Sequence, residues 1–324
     1  MSHNEATIRT PNTEHRTPNT PNSALKILVC YHKPYTMPPN DDGIFLPIQG
    51  GKALTDTDLH IQGDNEVNGQ PCDNISDKNP TYSELTAMYW AWKNLKKLYP
   101  DVKYVGLCHY RRFFAFDEQK FFVPDIPASE DSISHYKLDT DKIIRTLESG
   151  KIILVKPYTF PYSVKAHYCI CHISDNYRAT QEVIREKFPD YYDAFLDVME
   201  HSNKLSARNM FIMKWEDFER YCEWLFAVLS YIEADYSINP KPEQRRLFMS
   251  ERLLNVYIRK NAIRAKYFNI YSAEYSYVKT GMLRNFLSYI KRCLTVLRRN
   301  TAMFILNIGF WPLRKLLKKS PLKP

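Results

Sequence analysis

Residues 103–114, KYVGLCHYRRFF, run from an apolar stretch straight into His109, Tyr110, Arg111 and Arg112. That is the pattern of a buried strand whose carboxyl end delivers polar groups. In open α/β sheets, ligands sit just beyond such strand ends. Two arginines there suit a diphosphate, because guanidinium forks match phosphate oxygens bidentately and stay charged at any working pH. The same residues also read as an edge strand with a solvated arginine pair. Other candidates flank the neighbouring segments. His32 and Lys33 follow the apolar run LKILVC at 25–30, and Asp73, Asn74, Lys78 and Asn79 fall in the polar stretch DNISDKN. For Lys33 a solvated loop position is the competing reading, and Asx residues favour turns for purely local reasons.

These groups need a scaffold, and the hydrophobic pattern outlines one. LKILVC is short, continuous and branched, as a buried parallel strand should be. Residues 36–80 read as a long loop region with short extended pieces such as 43–48. Residues 82–99 read as a helix, with Leu85, Met88, Tyr89, Trp92 and Leu95 at helical spacing, Thr81 or Ser83 as cap and lysines in the last turns. Pro100 stops it and the 104–108 strand follows. Further helices are expected near 139–148, 175–188, 191–201, 215–232 and 243–261, with strands at 151–158 and 209–214. Strand, loop, helix, strand is the outline of a doubly wound α/β sheet.

Composition removes several classes. The chain has 324 residues with only 9 Gly, and neither GxGxxG nor GxxxxGK[ST] occurs, so dinucleotide and P-loop readings fail. The net charge of +9 is unevenly placed: eleven Lys/Arg and no acidic residue lie beyond residue 278, which leaves residues 1–278 at −2. A near-neutral body argues against nucleic acid as partner. Seven cysteines without CxxC spacing, and no secretory leader, point to a reduced cytoplasmic protein. Cys169 and Cys171 with His167 and His172 fit no common zinc spacing.

Three regions follow: a Thr/Pro/Asn-rich leader at 1–24, one α/β domain at 25–278, and a basic tail at 279–324. In the tail, Leu283, Phe286, Leu287, Ile290, Leu294 and Leu297 form a stripe at helical spacing beside Lys291, Arg292, Arg298 and Arg299. Trp311 and Lys315 follow a second apolar run, too short to span a bilayer. A basic amphipathic segment suits an anionic membrane surface. A helix packed on the domain or on a partner is the competing reading.

Several motifs together resemble a known family. ILVCYHKP, PIQGG, DNISDKNPTYSELTAMYWAWKN and GLCHYRRFF, then NMFIM, YCEWLF and SERLLNVY, occur in that order over residues 26–262. This arrangement resembles bacterial capsular and exopolysaccharide biosynthesis proteins formerly labelled a domain of unknown function and regarded as glycosyltransferases. The resemblance implies a GT-A-like fold, an open and mostly parallel sheet flanked by helices that binds a nucleotide-sugar. Where that fold commonly ends a strand in a metal-holding Asp-x-Asp, this chain has His109-Tyr110-Arg111. Arg111 and Arg112, with Lys33, would then neutralise the diphosphate without a cation. The alternative is Mn²⁺ or Mg²⁺ held by His109 with Asp73 or Asp117.

Under this resemblance His32, Asp73, Asn74, Lys78, Asn79 and His109 would also contact the donor, and Asn209 a sugar hydroxyl. Glu251 would serve as catalytic base, with Asp73 and Asp175 as rivals; a surface salt bridge from Glu251 to Arg252 or Arg259 is the competing reading. The implied partners are a nucleotide-sugar, a UDP-sugar first, and a polyprenyl-diphosphate-linked glycan at the inner face of the plasma membrane. A catalytically idle docking subunit of a polysaccharide-assembly complex is the rival function.

Overall fold

The computed structural model describes residues 24–117, 124–234 and 249–273. Its centre is β1 (Leu25–Tyr31), buried at every position. Alternation divides that strand between two cores: Leu28 and Cys30 face one, while Ile27, Val29 and Tyr31 face the other. β2 (Phe45–Gln49), β3 (Gln62–Gly63) and β4 (Tyr104–His109) extend the sheet on both sides of β1, all parallel. β5 (Arg112–Ala115) turns back from β4 through the single pair His109–Arg112.

The sheet is completed by β6 (Asp125–Pro127), β7 (Ile152–Val155), β8 (Phe211–Lys214) and β9 (Ala265–Ser272). β8 runs antiparallel to both β4 and β7, whereas β9 is parallel to β6 and β7 and antiparallel to β5. The nine-stranded sheet is therefore mostly parallel, with β5 and β8 alone running against the other seven strands. β8 enters at the edge where β4 ends, so it can only run back the other way. Gly106 lets it lie close: a Cβ there would sit 3.1 Å from the Phe211 carbonyl oxygen and 3.0 Å from Ile212.

One face of the sheet carries α1 (Leu85–Leu98) together with most of the remaining helices. The other carries α2 (Thr140–Glu148) and a short helix at Glu130–Ser134. On the first face α3 (Val164–Cys171), α4 (Ser174–Lys187), α5 (Tyr192–Met199), α6 (Trp215–Ala234) and α7 (Ser250–Lys260) share a core around Trp90, Phe195, Phe211 and Phe218. Trp90 is wholly buried, and its indole N–H donates to the Glu66 carbonyl at 2.7 Å. That bond keeps the burial of so large a side chain free of an orphaned donor.

Two element boundaries depart from the periodicity, and both departures build the site. The helix expected from residue 82 begins at Leu85, because Ser83 takes φ 49°, ψ −127° and separates it from a short helix at Asn79–Tyr82. The strand expected from 209 begins at Phe211, because Arg208 (φ 77°) and Asn209 (φ 50°) are both left-handed. In the helix expected at 243–261 the described part is Ser250–Lys260, and residues 243–248 lie outside the described residues. β5, β9 and α3 were not expected. β9, AKYFNIYS, interleaves polar residues with too few apolar ones to show a strand period.

Candidate functional site

β1, β2, β4, β7 and β9 all end at one edge of the sheet, and β8 begins there. The loops leaving β1 and β4 meet at Tyr110, whose amide donates to the Cys30 carbonyl at 3.1 Å. Its buried ring then gathers the neighbours. His32 meets it edge-on at 5.0 Å and Tyr35 at 5.3 Å, the Arg111 guanidinium lies over it at 4.7 Å, and the Lys33 ammonium at 6.0 Å. Three residues expected at a donor site, His32, Lys33 and Arg111, thus share one rim. Burial, then the charges of Lys33 and Arg111, lower the His32 pKa, so the rim's permanent charge is Lys33 and Arg111.

The two arginines of HYRR part company. Arg111 goes to this rim, whereas Arg112 lies near His109 and Glu84, whose titrations it shifts through its charge. His109 is half-buried, with Nε2–H donating to the Arg208 carbonyl at 2.6 Å. Because a carbonyl can only accept, that contact fixes the tautomer. Burial, helped by Arg112, pushes the His109 pKa down to about 4, so the ring is neutral at neutral pH.

Arg208 and Asn209 form the hub of this second cluster. The Arg208 side chain donates to both oxygens of Asp125 at 3.0 and 3.1 Å and to the Tyr158 hydroxyl at 3.0 Å, and its amide donates to Glu251 Oε1 at 2.9 Å. Glu251 Oε2 is held by Arg252 Nη1 at 2.7 Å, and Arg252 is 2% exposed. The salt bridge to Arg252 is therefore formed, while Arg259 pairs with Asp197 instead. Asn209 Nδ2 donates to Glu84 Oε1 at 2.8 Å and lies 2.9 Å from Ser250 Oγ. Its Oδ1 is buried and has no hydrogen-bond partner among the described residues. Glu84 immediately precedes α1 without a side-chain capping bond, and burial raises its pKa against the opposing pull of Asn209, its own amide and Arg112.

The polar stretch at 73–79 is occupied with holding the chain. Asp73 accepts from the Tyr89 hydroxyl at 3.1 Å, Asn74 closes an Asx turn onto Ser76 N at 3.0 Å, and Lys78 pairs with Glu233 at 2.8 Å. Asn79 donates to the Ser83 carbonyl at 2.9 Å and Thr86 Oγ1 at 3.0 Å, and so sets the bend that places Glu84. Gly51, at φ 71°, makes room for it: a Cβ there would meet Asn79 at 2.8 Å. The neighbouring amides of Gly51 and Lys52 are tied to buried Asp64 at 2.8 and 3.0 Å. The motifs PIQGG and DNISDKN therefore meet in space.

Among the other candidates, Asp175 pairs with Arg178 on its own helix, and Asp117 accepts from the Tyr271 hydroxyl. His167 Nε2 lies 3.7 Å from Cys171 Sγ, with Nδ1 3.3 Å from Arg252. Among the described residues, no group of three or more His, Cys, Asp or Glu is placed to hold a metal ion. The tail residues Lys291, Arg292, Arg298, Arg299, Trp311 and Lys315 lie outside the described residues.

Glu84, Arg208, Ser250, Asp125 and Tyr158 were missed as site residues. Glu84 was legible only as a polar residue inside a helix motif, and Asp125 and Tyr158 sit in no motif at all.

Fold and site together define an α/β protein with one mostly parallel sheet, a cationic rim and a carboxylate cluster at its carboxyl edge. The chain belongs to the family described as a domain of unknown function, DUF4422, whose model matches residues 26–262. It is similar to a solved structure titled as the bifunctional glycosyltransferase WbbM in its apo form, with 29% identity and a TM-score of 0.61. That likeness covers 77% of this chain and 45% of the other, so this chain spans under half of that protein's length. No curated protein matches.

Proposed function

We propose that this protein is a glycosyltransferase that moves a hexose from a nucleoside-diphosphate sugar to a glycan acceptor. The observation that carries this reading is the gathering of Lys33, His32 and Arg111 on Tyr110 at the carboxyl edge, beside a carboxylate cluster, in a chain similar to a glycosyltransferase. In a GT-A-like arrangement the diphosphate would lie on the rim. Lys33 and Arg111 then take up the charge that develops as the anomeric carbon–oxygen bond breaks, a term that grows in the transition state and so raises the rate. Arg112, the next residue along, adds a further positive charge on the side of His109 and Glu84. Asn209 Oδ1 takes a hydrogen from a sugar hydroxyl.

A metal-free rim is favoured by the way the candidate ligands His109, Asp73 and Asp117 are engaged apart from one another among the described residues. The His109 nitrogen that faces the cluster is committed to the Arg208 carbonyl, while Asp73 and Asp117 are engaged by tyrosines elsewhere. UDP-galactose and UDP-galactofuranose are the donors to try first, and a polyprenyl-diphosphate-linked glycan of capsule, exopolysaccharide or O-antigen synthesis the acceptor. Among the described residues no helix is long and apolar enough to cross a membrane. The basic segment 279–324 would bring the enzyme to an anionic inner membrane surface.

Calorimetric titration with nucleotide-sugars, with EDTA and then with Mn²⁺, tests the reading. Binding of one donor in EDTA supports the transferase and the arginine rim together. Binding only with Mn²⁺ keeps the transferase and removes the metal-free rim. No binding under either condition favours the docking subunit. Arg111→Ala should weaken UDP binding by about 1.5–3 kcal/mol, the worth of a hydrogen bond to a charged group. Unchanged affinity in the folded variant would remove Arg111 from the site.

A further inference from the structure

The cluster holds two carboxylates, Glu84 and Glu251, that differ in how fully they are committed. Both Glu251 oxygens are in use, Oε1 by the Arg208 amide and Oε2 by the buried Arg252 guanidinium. A proton placed on Glu251 would strip Arg252, 2% exposed, of its carboxylate, and breaking such a buried pair is costly. Glu84 instead accepts a hydrogen from a neutral amide, Asn209 Nδ2, and makes no ion pair among the described residues. Burial also favours its protonated form. The Asn209 amide is oriented by this contact, because its oxygen would repel an ionised Glu84. That orientation leaves Oδ1 buried without a donor among the described residues, a cost that a hydroxyl supplying one would remove.

We propose that Glu84 is the base that removes the acceptor hydroxyl's proton, and that Glu251 and Arg252 are positioning residues that hold the left-handed Arg208–Asn209 turn against it. This rests on the transferase reading. The acceptor oxygen bonds the anomeric carbon as its proton passes to the Glu84 carboxylate. The anomeric carbon–oxygen bond to the nucleoside diphosphate breaks, and its electron pair leaves on the diphosphate. Asn209 Oδ1 receives a hydrogen from a neighbouring acceptor hydroxyl, so acceptors with adjacent hydroxyls are the class that fits. Two consecutive non-glycine residues at positive φ are strained, and strain of this kind persists only where surrounding contacts over-determine it. Glu251, His109, Asp125, Glu84 and Ser250 are those contacts.

The test compares the full-length wild type with Glu84→Gln and Glu251→Gln. The probe is UDP release from UDP-galactose and UDP-galactofuranose with an octyl galactoside acceptor, across about pH 5 to 9. UDP affinity and melting temperature are read beside it. The groups that act on Glu84 are Asn209, Arg112 from β5 and Cys30 from β1, with Ser250 reaching it only through Asn209. Glu84→Gln still accepts from Asn209, so UDP affinity and melting should hold while kcat falls roughly 10²–10⁴-fold and the acid limb of the pH profile disappears. Glu251→Gln should melt lower yet keep that limb. Glu84→Asp, which retains a carboxylate, should keep the limb at reduced kcat and serves if the glutamine variant does not fold. A Glu84→Gln enzyme within tenfold of wild type, or loss of the limb in Glu251→Gln alone, overturns the assignment. Wild type that releases no UDP from either donor overturns the transferase reading itself.

Discussion

His109 shows how a single buried contact couples the site to solution conditions. Its pKa is pushed down to about 4, whereas an unfolded histidine titrates near 6.5. The unfolded chain therefore binds the proton first. Stability is complete above about pH 6.5 and is lost as pH falls toward 4, by up to about 3 kcal/mol from this residue. His172, also pushed down to about 4 by burial, Arg252 and His167, moves stability in the same direction. Thermal melts across that window should show the decline. His109→Gln, which can still donate to the Arg208 carbonyl but cannot be protonated, should make it shallower and leave the share that belongs to His172. A variant that declines as steeply as wild type would place the effect elsewhere.

Among the elements, the joints rather than the helices and strands decide where the chemistry sits. Gly51 is required at φ 71° with its Cα against Asn79, so Gly51→Ala should destabilise by about 1–3 kcal/mol. Because Asn79 sets the Ser83 bend, the same change should lower activity by displacing Glu84. Urea unfolding measured beside turnover would separate the two effects, and full activity in the variant would sever the link from Asn79 to Glu84. Ala262 gives the opposite case. It follows α7 at φ 50°, exposed, in the conformation that helix ends reserve for glycine. Ala262→Gly should stabilise by about 0.5–1 kcal/mol, the left-handed strain relieved less the entropy that glycine adds to the unfolded chain. A lower melting temperature would show that the end of α7 is held by something other than its backbone geometry.

For the whole molecule, charge is the property that reaches furthest. Residues 1–278 sum to −2 and residues beyond 278 to +11. A polypeptide ending at residue 278 should keep its UDP affinity and melting temperature but lose sedimentation with anionic vesicles, and the full chain's binding should weaken with salt. Continued vesicle binding by the shorter polypeptide would assign membrane contact to the α/β domain. The domain itself depends on the two-sided burial of β1, which carries one core on each face of the sheet. A polar substitution at Leu28 or Val29 should abolish folding, readable as loss of a cooperative melt.

Local physics made part of this legible in the sequence. A short apolar run bounded by turn signals reads as a strand buried on both faces, so β1, β4 and β7 were readable, and helical spacing of apolar residues marked α1, α6 and α7. His32, Lys33 and Arg111 could be expected together because two parallel neighbouring strands must end at the same edge. Three things were decided only in the tertiary structure. The antiparallel insertion of β8 depends on Gly106 and on pairing between strands more than a hundred residues apart. The parting of Arg111 from Arg112 depends on which side of a two-residue turn each emerges. The role of Glu84 depends on Asn79, Asn209 and Arg112 converging from three segments, none of which sets a carboxylate's environment by itself. Sequence displays what each residue can do, whereas burial and partnership, which set a group's pKa and free valences, are sums over distant segments that exist only once the chain has folded.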